Sequence, residues 1–359
     1  MLTVSNEQES YISTRKIRRK KGRQAGKMEW LLDQWLPIGH RLEDTAPEGG
    51  CKTIWGCWLS VCVTSGNPVF NHKVRKGPVI IIDEETPLTD LERHLNRFSQ
   101  YFNYHSYHDL PITVVHRTGF QFDRKVDLNK ILTIVQNQKP VLVRLDSLIA
   151  MLPLGRQGIN ENSSQLGGII GRDLNEITKV AKCCTLLAVH AKKPVADLTL
   201  EETQTKEMQS IVRGHGSIVG EGCDTGFIIK KISENPCRFA IITKSRRSPT
   251  MMVDKTVYVE MEEEFYGTGW AGLKEIPAAM IPPSKFAKDM YKALKDGAVH
   301  KAPELVRELA LFTKKECSVG ISELIKHQII SEGNKPQTYL LNPNRASKCT
   351  PEYLKALEL

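Results

Sequence analysis

Long apolar runs are missing from this sequence. No stretch reaches the roughly 18 to 20 apolar residues that a helix needs to cross a bilayer. The N-terminus also lacks the combination of charge, apolar core and small residues that marks a secretory signal. We therefore expect a soluble, cytoplasmic protein with no membrane partner.

Cysteines are present, but they lack the spacing of a metal site. None of the nine cysteines forms a C-x-x-C pair with matching histidines, and Cys183 and Cys184 are neighbours inside an apolar run. Zinc ligands come in spaced pairs, and disulfide frameworks belong mainly to small secreted domains. The pattern therefore disfavours both and suits a reducing compartment.

Basic residues outnumber acidic ones, 50 to 41, which gives a formal net charge of +9. Such an excess favours polyanionic partners such as DNA. Much of it lies in residues 15–27, RKIRRKKGRQAGK, which contain too few apolar side chains to fold alone. We expect residues 1–27 to form a flexible arm, either a solvated tail or a nonspecific contact with phosphates.

Short apolar runs then alternate with helical patterns, which predicts a parallel sheet flanked by helices. Beyond Asp224, closely spaced extended runs predict antiparallel strands that extend the same sheet. The predicted parallel strands are Val79–Asp83, Ile112–His116, Val141–Asp146 and Thr185–His190, the predicted helices are Leu88–Phe102 and Leu166–Ala181, and the antiparallel runs are Phe227–Ile232, Arg238–Lys244 and Lys255–Met261.

A chain of 359 residues is long enough for one large domain and one smaller one. We place the α/β domain at residues 28–266 and a Gly- and Pro-containing linker at 267–285. Residues 286–345 show helical patterns followed by a candidate hairpin, an order that favours a winged helix over a generic small helical domain. Residues 346–359 form a tail.

The sharpest local motif is TAPEGGCKT, at Thr45–Thr53, followed by an apolar helical pattern. It is similar to a Walker A loop, G-x-x-x-x-G-K-[ST], in which backbone N–H groups and a lysine bind phosphate and the hydroxyl binds Mg²⁺. The alternative is an ordinary Gly-rich turn before a helix. The predicted ATP-binding residues are Ala46, Glu48, Gly49, Gly50, Cys51, Lys52, Thr53 and Ile54.

The motif departs from the consensus at both outer glycine positions. Ala46 stands at the first and Cys51 at the last, where a Cβ introduces strain if the backbone requires a glycine conformation. The preceding segment, HRLEDT, is also unusually charged for a buried strand. Nucleotide binding is therefore a firmer expectation than hydrolysis.

Carboxylates follow two of the predicted strands. The run that begins at Ile80 delivers Asp83, Glu84 and Glu85 to the edge of the sheet where ligands of α/β proteins bind. We predict that Glu84 is the general base, with Glu85 the alternative or a helix cap. Asp146 ends the predicted strand Val141–Asp146 and is predicted to hold Mg²⁺ through water.

Two further residues are candidates for contact with the γ-phosphate. His190 ends another predicted strand, where a side chain can sense that phosphate, although a strand-end histidine is more often structural. Arg213 lies in a Gly-rich segment and is a candidate arginine finger, because a guanidinium neutralises charge on the transferring phosphoryl group. The alternative is a flexible loop.

In this order, the elements from roughly Leu36 to Ile242 resemble the RecA-like P-loop ATPases of the plasmid RepA and DnaB replicative-helicase type, an AAA_25-like group. The resemblance implies a homo-oligomeric ring, commonly a hexamer, with single-stranded DNA in its centre, and makes the C-terminal domain a candidate for duplex contact. The implied roles are phosphate and Mg²⁺ binding by Lys52 and Thr53, water activation by Glu84 or Glu85, Walker B chemistry by Asp146, sensing by His190, and an intersubunit finger at Arg213.

Two long segments are candidates for the DNA contacts that the resemblance implies. They contain Arg156, Lys192 and Lys193, which we predict to bind phosphates, although long surface insertions also occur without function. Three functions remain open: an ATP-driven DNA motor of a mobile element, an ATP-gated regulator or helicase loader with little turnover, and a RecA-like recombination or repair factor.

Overall fold

The structure is a computed structural model, and it describes part of the chain. The described residues are 28–152, 164–191, 203, 223–233, 236–245, 256–263, 271–277, 281, 285–295, 300–301, 321, 324–325, 329–332, 338–341 and 357. The basic arm and the candidates Arg156, Lys192, Lys193 and Arg213 lie outside these residues, so their roles stay predictions.

Among the described residues, strands and helices alternate through most of the first half, and strands predominate in the second half. The first half contains β1 (Trp30–Leu32), β2 (Leu36–Pro37), β3 (Arg41–Ala46), α1 (Lys52–Ser65), β4 (Val79–Asp83), α2 (Leu88–Tyr101), β5 (Ile112–His116), α3 (Lys125–Gln138), β6 (Leu142–Asp146), α4 (Ser164–Ala181) and β7 (Cys184–His190). The second half contains β8 (Thr225–Ser233), β9 (Arg238–Ser245), β10 (Thr256–Glu263), β11 (Ala271–Ile276), α5 (Lys285–Ala293), β12 (His300–Lys301), β13 (Ile330–Glu332) and β14 (Thr338–Leu341).

A nine-stranded sheet organises the described part of the chain, in the order β11-β10-β9-β8-β3-β7-β6-β4-β5. The strands from β8 to β5 in this order run parallel to one another. The strands β9, β10 and β11 continue the sheet in antiparallel fashion. The predicted α/β fold with a mainly parallel sheet is therefore confirmed.

Helices cover both faces of the sheet. The core on one face joins α1 and α2 to the sheet, and it contains Trp58 of α1 beside Phe98 of α2, with ring centroids 5.4 Å apart. The core on the other face joins α3 and α4 to the alternate side chains of the same strands, such as Ile80 and Val143. Because α1 is buried between the sheet and α2, nearly all its sides are apolar.

The central strand β3 contains most of the segment HRLEDT, whose charges are unusual for a buried strand. Glu43, Asp44 and Thr45 are all fully buried, between β7 on one side and β8 on the other. Successive side chains of a strand point to opposite faces. Asp44 therefore lies on the α1 face, as do Leu42 and Ala46.

The sheet extends further than the predicted domain boundary at residue 266. Residues 271–276, assigned from sequence to a linker at 267–285, form β11 and pair with β10 from Tyr258↔Ile276 to Glu263↔Ala271. The boundary was set at 266 because glycines such as Gly272 are typical of linkers. In the fold a Cβ at Gly272 would lie 2.3 Å from the Tyr101 ring, so glycine is what allows α2 to pack there.

The described C-terminal residues form a separate small core. β12, β14 and β13 make an antiparallel three-stranded sheet, and α5 contributes Ala287, Met290 and Tyr291 to the same apolar cluster. β13 pairs with β14 from Ile330↔Leu341 to Glu332↔Tyr339, whereas the sequence predicted a hairpin within residues 333–343. The winged-helix assignment itself stays a prediction. Within the described residues, no helix combines the length and apolar character needed to span a membrane.

Candidate active site

The loop between β3 and α1 has the backbone shape of a phosphate-binding loop. Gly49 and Cys51 both have positive φ, 70° and 69°, and Gly50 N–H donates to the carbonyl of Pro47 over 3.0 Å. A Cβ on Gly50 would lie 2.6 Å from that of Ala46, so only glycine fits. The loop therefore folds back tightly at the end of a buried parallel strand.

The start of α1 provides N–H groups that are suited to bind an anion. The first hydrogen bond of α1 is donated by Trp55 N–H to Cys51 O. The N–H groups of Lys52, Thr53 and Ile54 lie before it and have no acceptor within the helix. The ammonium of Lys52 donates to the carbonyls of Ala46, at 3.1 Å, and Pro47, at 3.4 Å. Convergent N–H groups and a cation at a helix N-terminus fit a nucleotide phosphate.

Cys51 occupies a position that favours glycine. Its φ of 69° and ψ of 16° are left-handed, and its side chain is buried. For a residue with a Cβ this conformation costs roughly 1 kcal/mol or more. The loop thus keeps the glycine geometry of its consensus at a conformational cost, as the sequence predicted.

Thr53 and Asp146 meet across the cleft. The Thr53 hydroxyl donates to Oδ2 of Asp146 over 3.3 Å, bringing together the two residues predicted to bind Mg²⁺. Within the described part of the chain, no three His, Cys, Asp or Glu side chains cluster as a metal site. A hydroxyl, one carboxylate and a phosphate nevertheless suit Mg²⁺, which keeps most of its waters. These residues therefore fit the ion.

A cavity of about 250 Å³ joins the loop to the carboxyl ends of the parallel strands. It brings together most of the site residues predicted from sequence. The cavity is lined by Glu48, Gly49, Gly50, Cys51, Lys52, Thr53, Ile54, Glu85, Thr86, His94, Asp146 and His190.

The two candidate bases, Glu84 and Glu85, have different surroundings. The carboxylate of Glu84 accepts hydrogen bonds from the N–H groups of Thr118, Gly119 and Phe120, at 3.0 to 3.2 Å, and does not line the cavity. Glu85 does line it. The structure thus places Glu84 as an anchor of the loop after β5, and brings its neighbour to the cleft.

Two side chains orient Glu85. Its Oε2 accepts a hydrogen bond from the Ser147 hydroxyl and lies 3.4 Å from Nε2 of His190. The hydrogen bond with His190 is the main cause that lowers the pKa of Glu85 to about 2, with Ser147 acting in the same direction and burial opposing both. Glu85 is therefore a carboxylate at neutral pH, and His190 contacts it at the cavity wall.

His94 is a site residue that the sequence did not reveal. It lies on α2, lines the cavity and stacks on Phe98, with ring centroids 6.4 Å apart. Burial lowers its pKa, and the nearby charges of Arg93 and Arg97 lower it further. Its spacing from Leu91 and Phe98 is that of a helix face, but no motif marks a histidine there.

Beneath the cavity lies a cluster of buried charges. Asp44, Asp83, Arg144 and Asp146 are all at most 2% exposed, and all lie on the α1 face of the sheet. Burial raises the pKa of Asp44 to about 7 against the opposing charge of Arg144, and burial with the charge of Asp146 raises the pKa of Asp83. Such a cluster at a strand edge is typical of functional sites.

Known proteins share parts of this sequence and fold. The model of the AAA_25 family, described as an AAA domain, matches residues 9–196. No curated protein sequence matches the chain. Among solved structures, a KaiC-like protein from the archaeon Pyrococcus horikoshii OT3 is 13% identical with a TM-score of 0.44, covering 69% of this chain and 94% of that one. A second solved structure, the ATPase domain of another protein, is 14% identical with a TM-score of 0.44, covering 61% and 80%.

The family match includes β3, the phosphate loop, the carboxylates that follow β4, Asp146 at the end of β6, and His190. It spans more than half of the 359 residues. The chain belongs to the AAA_25 family of AAA domains.

Proposed function

We propose that this protein binds and hydrolyses ATP and acts on DNA, as a RepA-type replicative helicase or DNA motor of a mobile element. One observation carries the ATPase part of the proposal. Lys52, Thr53, Glu85, Asp146 and His190 converge on one cavity, although they come from four separate strand ends and loops. Each has the chemistry that phosphoryl transfer requires.

Lys52 and Thr53 bind the nucleotide in this proposal. A bound phosphate competes for the ammonium that now donates to the loop carbonyls of Ala46 and Pro47, so Lys52 exchanges neutral acceptors for a charged one. Thr53 and Asp146 hold the magnesium ion, which offsets phosphate charge when it is bound. The N–H groups at the start of α1 bind phosphate oxygens.

Glu85 is the proposed general base, in place of Glu84. It lines the cavity as a carboxylate, and both Ser147 and His190 restrain its orientation. A base must reach the proton that it abstracts, directly or through one water. The carboxylate of Glu84 is instead held by three backbone N–H groups outside the cavity. His190 contacts Glu85 and also lines the cavity, so it is proposed to respond to the bound phosphate and to change the position of Glu85, in keeping with its predicted role as sensor.

The DNA part of the proposal rests on charge. The net charge of +9 and the basic segment 15–27 favour binding of a polyanion. The resemblance to RepA and DnaB implies single-stranded DNA as the activating ligand and a homo-oligomeric ring, commonly a hexamer, as the active form. Arg156, Lys192, Lys193 and the finger candidate Arg213 belong to this part of the proposal.

ATP turnover by the full-length protein with Mg²⁺, with and without single-stranded DNA, tests both parts. We expect turnover that DNA stimulates and that Lys52→Ala abolishes, because the variant loses the phosphate contact. The Lys139→Ala protein is a matched control, since it loses a lysine at the end of α3, far from the loop. Turnover that persists in Lys52→Ala contradicts the assignment of the site.

A second candidate function is an ATP-gated regulator or helicase loader. The observation that favours it is the left-handed backbone of Cys51, because strain in the phosphate loop can slow catalysis while binding persists. Binding of ATP without turnover, and turnover restored by Cys51→Gly, would support this candidate over the motor. Unwinding assays then separate a motor from a loader.

A further inference from the structure

Arg144 is a buried cation on the central strand β6, two residues before Asp146. Its side chain is 0% exposed, and the rest of β6 is buried as well. A central parallel strand covered on both faces is ordinarily a run of apolar residues. A guanidinium at this depth therefore needs a specific partner, because an unpaired buried charge is strongly unfavourable.

The partner is the carboxylate of Asp146. Nη2 of Arg144 donates to Oδ2 of Asp146, the same oxygen that accepts the Thr53 hydroxyl. That oxygen is thus fixed between a donor from below and a donor at the cavity wall. Burial disfavours the charge of Arg144, but Asp146 first and then Cys57, Asp44 and Asp83 act against it and keep the pKa of Arg144 raised.

The helix above the sheet is shaped around this side chain. A Cβ at Gly56 of α1 would lie 2.0 Å from Nε and 2.3 Å from Cζ of Arg144. The guanidinium therefore packs directly against the helix backbone, one turn beyond the phosphate loop. The guanidinium is thus enclosed between α1 and the sheet, where Nη2 contacts Asp146.

Charge balance adds a second reason for a cation here. Asp44, Asp83 and Asp146 lie together on the α1 face, where like charges would repel one another and a bound phosphate. Neither carboxylate oxygen of Asp44 has a hydrogen-bond partner among the described residues. Arg144 is the cation with the strongest effect on it.

We propose that Arg144 is a positioning residue of the nucleotide site, which holds Asp146 against Thr53 and thereby sets the affinity of the site for the divalent cation of the nucleotide. The inference rests on the proposed function, because it concerns Mg²⁺-dependent nucleotide binding. Groups that orient a metal ligand typically change metal affinity by roughly 10- to 100-fold when they are removed. If Arg144 had only a structural role, replacing it would lower stability without changing the affinity for Mg²⁺.

Titration of Mg²⁺ against binding of the fluorescent nucleotide mant-ATP tests the proposal in the full-length protein. In Arg144→Lys the positive charge is kept but the planar fork is lost. We expect the half-saturating Mg²⁺ concentration to rise about tenfold. Affinity for mant-ATP in EDTA should stay at the wild-type value, since the phosphate contacts of Lys52 and the loop remain.

Arg41→Lys is the matched control. Arg41 also forms a paired, largely buried contact, donating from Nε and Nη2 to the two oxygens of Asp224, but it lies at the start of β3, away from the cavity. We expect its thermal midpoint to fall and its Mg²⁺ midpoint to match the wild type. If Arg144→Lys is unfolded at the assay temperature, the double variant Asp44→Asn/Arg144→Met, which removes the buried guanidinium together with the carboxyl group of Asp44, is measured instead, with the same expectation.

Two results overturn the positioning role. One is a wild-type Mg²⁺ midpoint in a folded Arg144 variant. The other is an equal loss of mant-ATP affinity with Mg²⁺ and in EDTA, which indicates a distorted cleft. Wild-type protein that binds no mant-ATP under either condition instead overturns the proposed function itself, so the two failures are distinguishable.

Discussion

His190 and Glu85 lie 105 residues apart in sequence, yet Nε2 of the histidine is 3.4 Å from Oε2 of the glutamate at the wall of one cavity. The parallel sheet produces this contact, because β4 and β7 both deliver their carboxyl ends to the same edge. The pair links the proposed base to the residue proposed to sense the phosphate.

Glu85→Gln and Glu84→Gln form a matched pair that separates the two candidate bases. We expect Glu85→Gln to lower kcat for ATP by about 100-fold or more, the usual contribution of a general base. Glu84→Gln should lower the free energy of unfolding by about 1 kcal/mol, because a single amide oxygen replaces a carboxylate that accepts three N–H groups. A larger kcat loss in Glu84→Gln would reverse the assignment.

His190→Ala should change how hydrolysis depends on pH. The hydrogen bond from His190 lowers the pKa of Glu85 to about 2, so the wild-type base stays ionised in mild acid. Without it the pKa moves up towards the ordinary value of 4.5, and the carboxylate is partly protonated near pH 4 to 5. We expect kcat/KM to fall in mild acid for this variant only.

His116→Ala is the control for that experiment. His116 lies on the neighbouring strand β5 and contacts the Thr86 carbonyl at 2.9 Å, but it does not line the cavity. Its rate profile from about pH 4.5 to 8 should follow the wild type. Identical profiles for all three proteins would show that His190 does not act on the base.

Cys51→Gly should both stabilise the protein and speed turnover. Glycine adopts the left-handed backbone at this position without the cost that a Cβ imposes, a difference of about 1 kcal/mol. Lys139→Gly is the control, because Lys139 also has a left-handed backbone, with a φ of 48°, at the end of α3. Both variants should raise the thermal midpoint, and only Cys51→Gly should raise kcat. Equal kcat values would mean that strain at Cys51 does not limit hydrolysis.

Asp44→Asn should remove a pH dependence of stability. The pKa of Asp44 in the folded protein, about 7, lies above the ordinary value of 3.8, so the folded state holds a proton that the unfolded chain releases. The free energy of unfolding therefore decreases as pH rises from about 4 to 7, by up to roughly 1.4 kcal/mol per pH unit. Urea unfolding at several pH values should show a gain from Asp44→Asn that grows over this window and is constant above it.

Most of the elements were predictable because their periodicity is strong. The four apolar runs became β4, β5, β6 and β7 within one residue of their predicted bounds. The three runs predicted to be antiparallel became β8, β9 and β10, but β8 pairs parallel with β3 and antiparallel only with β9. The phosphate loop was predictable because glycines followed by Lys52 and Thr53 leave few alternatives. These features depend on local pattern, which a single sequence contains.

Other features depended on contacts between distant segments. The charges of Glu43 and Asp44 argued against a buried strand, because the compensation of Asp44 by Arg144 is visible only after folding. The choice between Glu84 and Glu85 turned on which carboxylate the loop after β5 binds. His94 joins the site only because α2 packs beside α1.

The close approach of Arg144 to α1 has a consequence for how this sequence can vary. Since a Cβ at position 56 would overlap the guanidinium where it now lies, arginine at 144 packs against α1 in this way only with glycine at 56. An apolar residue at 144 would release that restriction. The two positions, one on a helix and one on a strand, should therefore covary among relatives.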